Sequence, residues 1–252
     1  MRAISLFSGI GGIDLAAEWA GIEVVLFVER DPFCQKVLNK HWPHVPIIDD
    51  IRKVTKELLL RMGVIGNGRT IDLIFGGYPC QGESGIGKRK GQEDERWLWP
   101  EMFRLIRELR PTWVLGENVD GHLTMGYNEV ITNLEIEDYG TRTFVLPAVS
   151  VGAPHERYRV FIVGNASSQS KSQTDTSVGP VGGKRDTRKD SAWITRGTLS
   201  PSYWQIHQPP VPGVDDGIPD RVERSRAAGN AVVPQHVFPI LQAIKLIHDQ
   251  AA

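Results

Sequence analysis

Short apolar runs alternate with helical patterns over the first 165 residues, and few architectures accept that alternation. Residues 3–7 form a short apolar strand pattern, residues 8–12 a glycine-rich turn, and residues 13–20 an amphipathic helix. A second apolar run covers 23–28, and Pro32 opens a helix, as proline does at a first turn. Ile47 and Ile48 lead into Asp49 and Asp50, residues 56–62 are helical, and 71–75 read as a buried strand ending in Gly76-Gly77. Another helix covers 99–109 and another strand 113–115. Strands alternating with helices imply an α/β fold with a mostly parallel sheet covered on both faces. In such sheets ligands bind beyond the carboxyl ends of the strands.

The pattern changes after Gly164. Residues 165–191 are rich in Ser, Thr, Gln, Lys and Gly and nearly lack large apolar side chains. Such a stretch cannot bury enough surface to offset its ordering entropy, so it is expected to be a flexible loop. Trp193, Tyr203 and Trp204 follow, then a proline-rich stretch at 209–219, and apolar helical spacing returns at 237–247. The reading divides the chain into a main domain at 1–164, a small region at 165–222 and a C-terminal segment at 223–252.

With 40% hydrophobic residues the chain can build a full core. No window approaches the roughly 18 uninterrupted apolar residues of a membrane span. The N-terminus lacks a cleavable signal pattern, so a cytoplasmic location is the default expectation. Cys34 and Cys80 are too few for a disulfide framework, and no Cys/His cluster has zinc-ligand spacing, so no metal is expected. A net charge of −1 means that binding to nucleic acid needs a local basic patch. Three clusters offer one: Lys88-Arg89-Lys90; Lys184-Arg185 with Arg188-Lys189; and Arg221, Arg224 and Arg226.

The turn Gly9-Ile10-Gly11-Gly12 between strand and helix is a nucleotide-site signature, because glycines let a ligand approach the backbone at a helix N-terminus. A dinucleotide site also wants a glycine where Asp14 stands, which disfavours a dehydrogenase. S-adenosylmethionine has no pyrophosphate and fits this cradle better. Glu29 ends the second strand, where a carboxylate can accept from both ribose hydroxyls; Asp50 ends the third, where it can accept from an adenine amino group. Either acid read alone is equally a cap. Cys80 lies in the loop Gly76-Gly77-Tyr78-Pro79-Cys80-Gln81 at the ligand edge, and basic residues 88–90 favour its thiolate. Cys34 reads as a buried small hydrophobe. Glu117-Asn118-Val119 follow the fifth strand, so a nucleophile and an acid flank one crevice.

These residues together resemble the DNA cytosine-5 methyltransferases. The ordered matches are Phe7-Ser8-Gly9-Ile10-Gly11-Gly12, Gly77-Tyr78-Pro79-Cys80-Gln81, Asp94-Glu95-Arg96, Glu117-Asn118-Val119, Arg157-Tyr158-Arg159 and Gly229-Asn230-Ala231-Val232. The tail at 209–235 is similar to compact phage-type members. The resemblance implies a Rossmann-like methyltransferase fold with a small target-recognition region at 165–222 and a C-terminal segment returning to the catalytic domain. It implies S-adenosyl-L-methionine as cofactor, held by Phe7, Gly9, Gly11, Gly12, Glu29, Asp50, Ile51, Pro79, Leu98 and Asn230. It implies covalent catalysis by Cys80 on a flipped cytosine, with Glu117 as acid at ring N3, Arg159 on the base carbonyl and Arg157 supporting that loop. The expected partner is double-stranded DNA, held by Gln81, Ser84, Lys88, Arg89, Arg96, Lys184 and Arg185, with the protein a monomer. Three positions depart from the family pattern: Glu83, His155 and Arg30. A tRNA-modifying cytosine-5 methyltransferase and a catalytically inactive DNA-binding relative are the alternatives. Whether the chain serves a restriction-modification system or is a solitary phage enzyme stays open.

Overall fold

A computed structural model describes residues 1–79, 97–124, 126–153, 157–166 and 221–251. Its centre is a seven-stranded sheet in the order β3-β2-β1-β4-β5-β7-β6. Strands β1 (Arg2–Leu6), β2 (Glu23–Val28), β3 (Ile47–Ile48), β4 (Leu73–Gly76) and β5 (Trp113–Val119) run parallel. Strand β7 (Tyr158–Asn165) lies antiparallel between β5 and the edge strand β6 (Gly140–Pro147). The expected mostly parallel α/β sheet is therefore present.

The apolar runs are continuous because the inner strands are buried on both faces. In β1, Ile4 and Leu6 enter one core layer and Ala3 the other, following the two-residue period of a strand. The first layer is covered by α3 (Lys56–Arg61), α4 (Trp99–Leu109) and α5 (Tyr127–Ile136), through Leu59, Met102, Leu105, Ile106, Val130 and Leu134. The second is covered by α1 (Gly12–Trp19) and by the last helix, Pro234–Ala251, through Ile13, Ala16, Ala17, Val237, Ile240, Leu241 and Ile244. Helix α2 (Pro32–His41) starts at Asp31, whose carboxylate accepts from Phe33 N and Cys34 N. A polar helix α6 (Arg221–Asn230) precedes the last helix, α7. No helix among the described residues is long and apolar enough to cross a membrane.

Four elements go beyond the sequence expectation. Strand β5 continues from Leu115 to Val119, because β7 supplies partners for its last residues: Glu117 faces Phe161, Asn118 faces Val160 and Val119 faces Arg159. Helix α5 and strand β6 were not expected, and neither was α6, whose sequence RVERSRAAGN has no apolar stripe. The region at 165–191 lies outside the described residues except for Asn165 and Ala166, as do 192–220.

Candidate active site

The strand registers bring several acids and glycines to one edge. Leu6 is level with Val28 and Gly76, Val28 with Ile48, and Gly76 with Gly116. The residues following these positions therefore share the carboxyl edge: Phe7, Glu29, Gly77 and Glu117, with Asp50 two residues beyond Ile48. The strand order reverses between β1 and β4, which makes this the ligand crevice of such a sheet.

The turn after β1 is tightly held. Phe7, Gly9 and Gly11 all have positive φ, at 54°, 57° and 87°. Ser8 N donates to Val28 O at 3.2 Å and Gly11 N to Ser8 O at 3.0 Å. Glu29 locks the turn from the side: Oε2 accepts from Gly9 N and Oε1 from Asp31 N, both at 2.7 Å. The half-buried carboxylate is thus fixed in place, with lone pairs left over for a ligand. A Cβ on Gly9 would meet nothing within 4 Å, so open space lies over the turn. At Gly12, by contrast, a Cβ would lie 2.4 Å from Val232 O, so the segment after α6 closes the other side. Helix α1 begins at Gly11 with no side-chain cap. Asp50 caps the next turn, its Oδ1 accepting from Arg52 N at 2.9 Å, and Ile51 is buried behind it. Cradle, Glu29 and Asp50 fit an adenosine ligand. Pro79 and Leu98 are half-buried, and Asn230 is exposed at the end of α6.

The second cluster joins β5 to β7. Glu117 pairs across the ladder with Phe161, so Arg159, two residues away on the same face, is its diagonal neighbour. Arg159 Nε lies 2.8 Å from Glu117 Oε1, with both side chains largely buried. Burial pushes the Glu117 carboxyl up to about 7, against the pull of Arg159 first and Arg157 second. Gly77 packs on the other oxygen: a Cβ there would lie 2.7 Å from Glu117 Oε2. Arg157 turns away to the returning segment, where its Nη2 donates to Gly229 O and, at 3.1 Å, to Ala231 O. Burial, then Arg159, holds Arg157 below the ordinary guanidinium range. The acid, the two arginines and the segment at 229–232 thus meet at one place. The chemistry available is a proton donor at neutral pH beside a fixed cation.

Cys80, Gln81, Ser84, Lys88, Arg89 and Arg96 lie outside the described residues, as do His155, Lys184 and Arg185. Cys34 is buried in α2, and burial, followed by Glu29 and Asp31, pushes its thiol up to about 12, as suits an inert hydrophobe. Sequence reasoning missed three groups. Arg104 on α4 donates to Ile51 O and Val54 O at 3.2 and 3.0 Å while paired with Glu101 and Glu108, fixing the turn after Asp50. Arg226 pairs with Asp31, tying α6 to the loop that holds Glu29. Tyr78 Oη lies 2.8 Å from the buried His122 Nε2. The spacing of Glu101 and Glu108 about Arg104 on one helix would have pointed to the first; only the packed fold reveals the other two.

Comparison with known proteins shows the family. The family model for C-5 cytosine-specific DNA methylases matches residues 1–195. The type II methyltransferase M.AquIA of Picosynechococcus is 35% identical over 193 residues, covering 71% of this chain and 77% of that protein. M.FnuDI of Fusobacterium nucleatum is 33% identical and M.HhaI of Haemophilus parahaemolyticus 35% identical. The chain spans 57% and 48% of their respective lengths. Among solved structures, a DNA modification methyltransferase encoded within an Escherichia coli prophage aligns with a TM-score of 0.57 at 31% identity, over 66% of this chain and 46% of that one. An Entamoeba histolytica methyltransferase aligns over the whole chain with a TM-score of 0.64, at 15% identity, a likeness of fold alone. The chain belongs to the C-5 cytosine-specific DNA methylase family, with the Rossmann-like fold of S-adenosylmethionine-dependent methyltransferases.

Proposed function

We propose that this protein methylates carbon 5 of cytosine in double-stranded DNA, with Cys80 as covalent nucleophile on a base flipped out of the duplex. The observation that carries the reading is the buried Glu117–Arg159 pair facing the loop that leads to Cys80. Carbon 5 of cytosine is a poor nucleophile. Addition of the Cys80 thiolate at carbon 6 forms an S–C bond and moves electron density to carbon 5. Glu117, protonated near neutrality, donates to ring N3 and takes up the charge that would otherwise build there. Arg159 holds Glu117 and offers its remaining N–H groups to the base carbonyl. S-adenosylmethionine, when bound, supplies a methyl group on a sulfonium leaving group. Loss of the carbon 5 proton to water and cleavage of the S–C bond restore the ring and free Cys80.

Phe7, Gly9, Gly11, Gly12, Glu29, Asp50, Ile51, Pro79, Leu98 and Asn230 are proposed to line the cofactor site. Gln81, Ser84, Lys88, Arg89, Arg96, Lys184 and Arg185 are proposed to contact DNA, where phosphate contacts position and base contacts specify. The domain division at 164 and 222 and a monomeric state belong to the same proposal. Incubation with radiolabelled cofactor and either duplex DNA or tRNA tests it. Label in DNA at carbon 5 of cytosine, read by bisulfite sequencing, supports the reading. Label in tRNA alone, or none in either, overturns it.

Glu29 gives a separate prediction. Its carboxylate is expected to bind the ribose hydroxyls while bracing Gly9. Glu29→Ala is expected to weaken cofactor binding by roughly 1.5–6 kcal/mol, from one or two charge-assisted hydrogen bonds of about 1.5–3 kcal/mol each. Glu29→Gln keeps an acceptor for Gly9 and is expected to lose less. Titration calorimetry distinguishes them, and unchanged affinity in Glu29→Ala would remove Glu29 from the site.

A further inference from the structure

We infer that Tyr78 and His122 form a buried positioning pair that holds the segment leading to Cys80 beside Glu117. The inference rests on the covalent reading of Cys80. Tyr78 stands two residues before Cys80 and His122 five residues after Glu117, so one bond links the segments that carry the nucleophile and the acid.

The pair is buried to a degree unusual for two polar side chains: Tyr78 is 2% exposed and His122 is 0%. Oη and Nε2 stand 2.8 Å apart. The phenol ring is held on three sides, against Trp99 at 5.1 Å, His122 at 5.4 Å and Trp97 at 5.9 Å between ring centroids. Its fourth side presses on β5, where a Cβ at Gly116 would lie 3.0 Å from Cε1. His122 is confined in turn, since a Cβ at Gly126 would lie 2.7 Å from its Cε1. Tyr78 is also held by its backbone, for its carbonyl accepts from Asn118 Nδ2 at 3.2 Å.

The backbone bond crosses from the loop after β4 to Asn118 in β5, and the side-chain bond crosses to His122 in the short turn Asp120–Thr124 that follows β5. Next to them Gly77 lies against Glu117 Oε2. Residues 77 and 78 are therefore held beside the acid, against the end of β5 and the turn after it, and Pro79 leads directly to Cys80. A phenylalanine at position 78 would fill the same cage without the bond. A hydroxyl buried here and hydrogen-bonded across 44 positions of sequence contributes orientation that packing alone does not specify. Glu29 and Asp50, the acids proposed to hold the adenosine, lie after other strands, so the larger effect is expected on the chemical step rather than on cofactor binding.

The test uses the whole protein with a duplex carrying 5-fluorocytosine at its target cytosine and S-adenosylmethionine. Tyr78→Phe is expected to slow covalent adduct formation and kcat by roughly 10–100-fold, the scale of a small misplacement of reacting groups. Its calorimetric affinity for S-adenosylhomocysteine is expected to fall far less than the rate. His122→Gln, which keeps a partner for the phenol, is expected to regain most of the rate lost in His122→Leu. Wild-type trapping with undiminished trapping by Tyr78→Phe overturns the positioning role alone. So does a loss of rate that comes with an equal loss of cofactor affinity, or His122→Gln behaving as His122→Leu. Failure of wild type itself to form the adduct overturns the covalent reading, and this inference with it.

Discussion

Replacing Cys80 by serine is expected to abolish methyl transfer while leaving cofactor binding intact. The attacking species is the thiolate, and an unperturbed cysteine with a pKa of about 8.5 already supplies a few per cent of it at neutral pH. A serine hydroxyl, with a far higher pKa, supplies essentially none. The loss is expected to be at least about 10⁴-fold, the scale reached when an enzyme's nucleophile is removed. A duplex with 5-fluorocytosine sharpens the experiment, since the fluorine cannot leave as a proton does and the wild-type adduct persists. Denaturing gels should show the adduct for wild type and none for Cys80→Ser. Cys34→Ala is the control: its thiol is buried and held protonated, so activity should stay near wild type. Substantial transfer by Cys80→Ser would end the covalent proposal.

What could be read from the chain without coordinates follows from where burial dictates residue type. Buried inner strands must be apolar, so β1, β2 and β4 announced themselves, as did the Gly9–Gly12 turn and the acid after β2. Glu117 reads as lying beyond its strand, because Glu-Asn-Val breaks the apolar run while β7 still pairs with it. That pairing is non-local and leaves no mark on the sequence of β5, yet it is what sets Arg159 diagonal to Glu117. The edge strand β6 and the polar helix α6 carry little of their stability in a hydrophobic stripe, so their patterns are faint. The pair Tyr78–His122 was equally hidden, since a tyrosine in a Gly-Pro loop and a histidine past a strand look like solvated residues until Trp97 and Trp99 close around them.

Glu117→Gln is expected to lower the chemical rate by roughly 10²–10⁴-fold, the usual worth of a general acid. The amide keeps the shape and an acceptor for Arg159, so cofactor affinity and folding should change little. The pH dependence adds a sharper signature. Burial raises the Glu117 pKa to about 7, and the Arg159 bond at Oε1 leaves Oε2 to carry the proton. The acid is protonated below pH 7 and loses its proton above it, so a rate that depends on donation to N3 falls as pH rises through about 7. Thiolate formation at Cys80 runs the other way, rising with pH. Their product is a bell, whose alkaline limb belongs to Glu117 in this assignment. The stability linkage has the same direction. The folded pKa lies above the unfolded value of 4.5, so protonation favours the fold; that contribution is complete below about pH 4.5 and is lost as pH climbs through about 7. In Glu117→Gln the alkaline limb of the single-turnover profile should disappear, leaving a rate that only rises with pH until the thiol is ionised. An alkaline limb that persists unchanged in Glu117→Gln would assign it to another group and take the proton-donor role from Glu117.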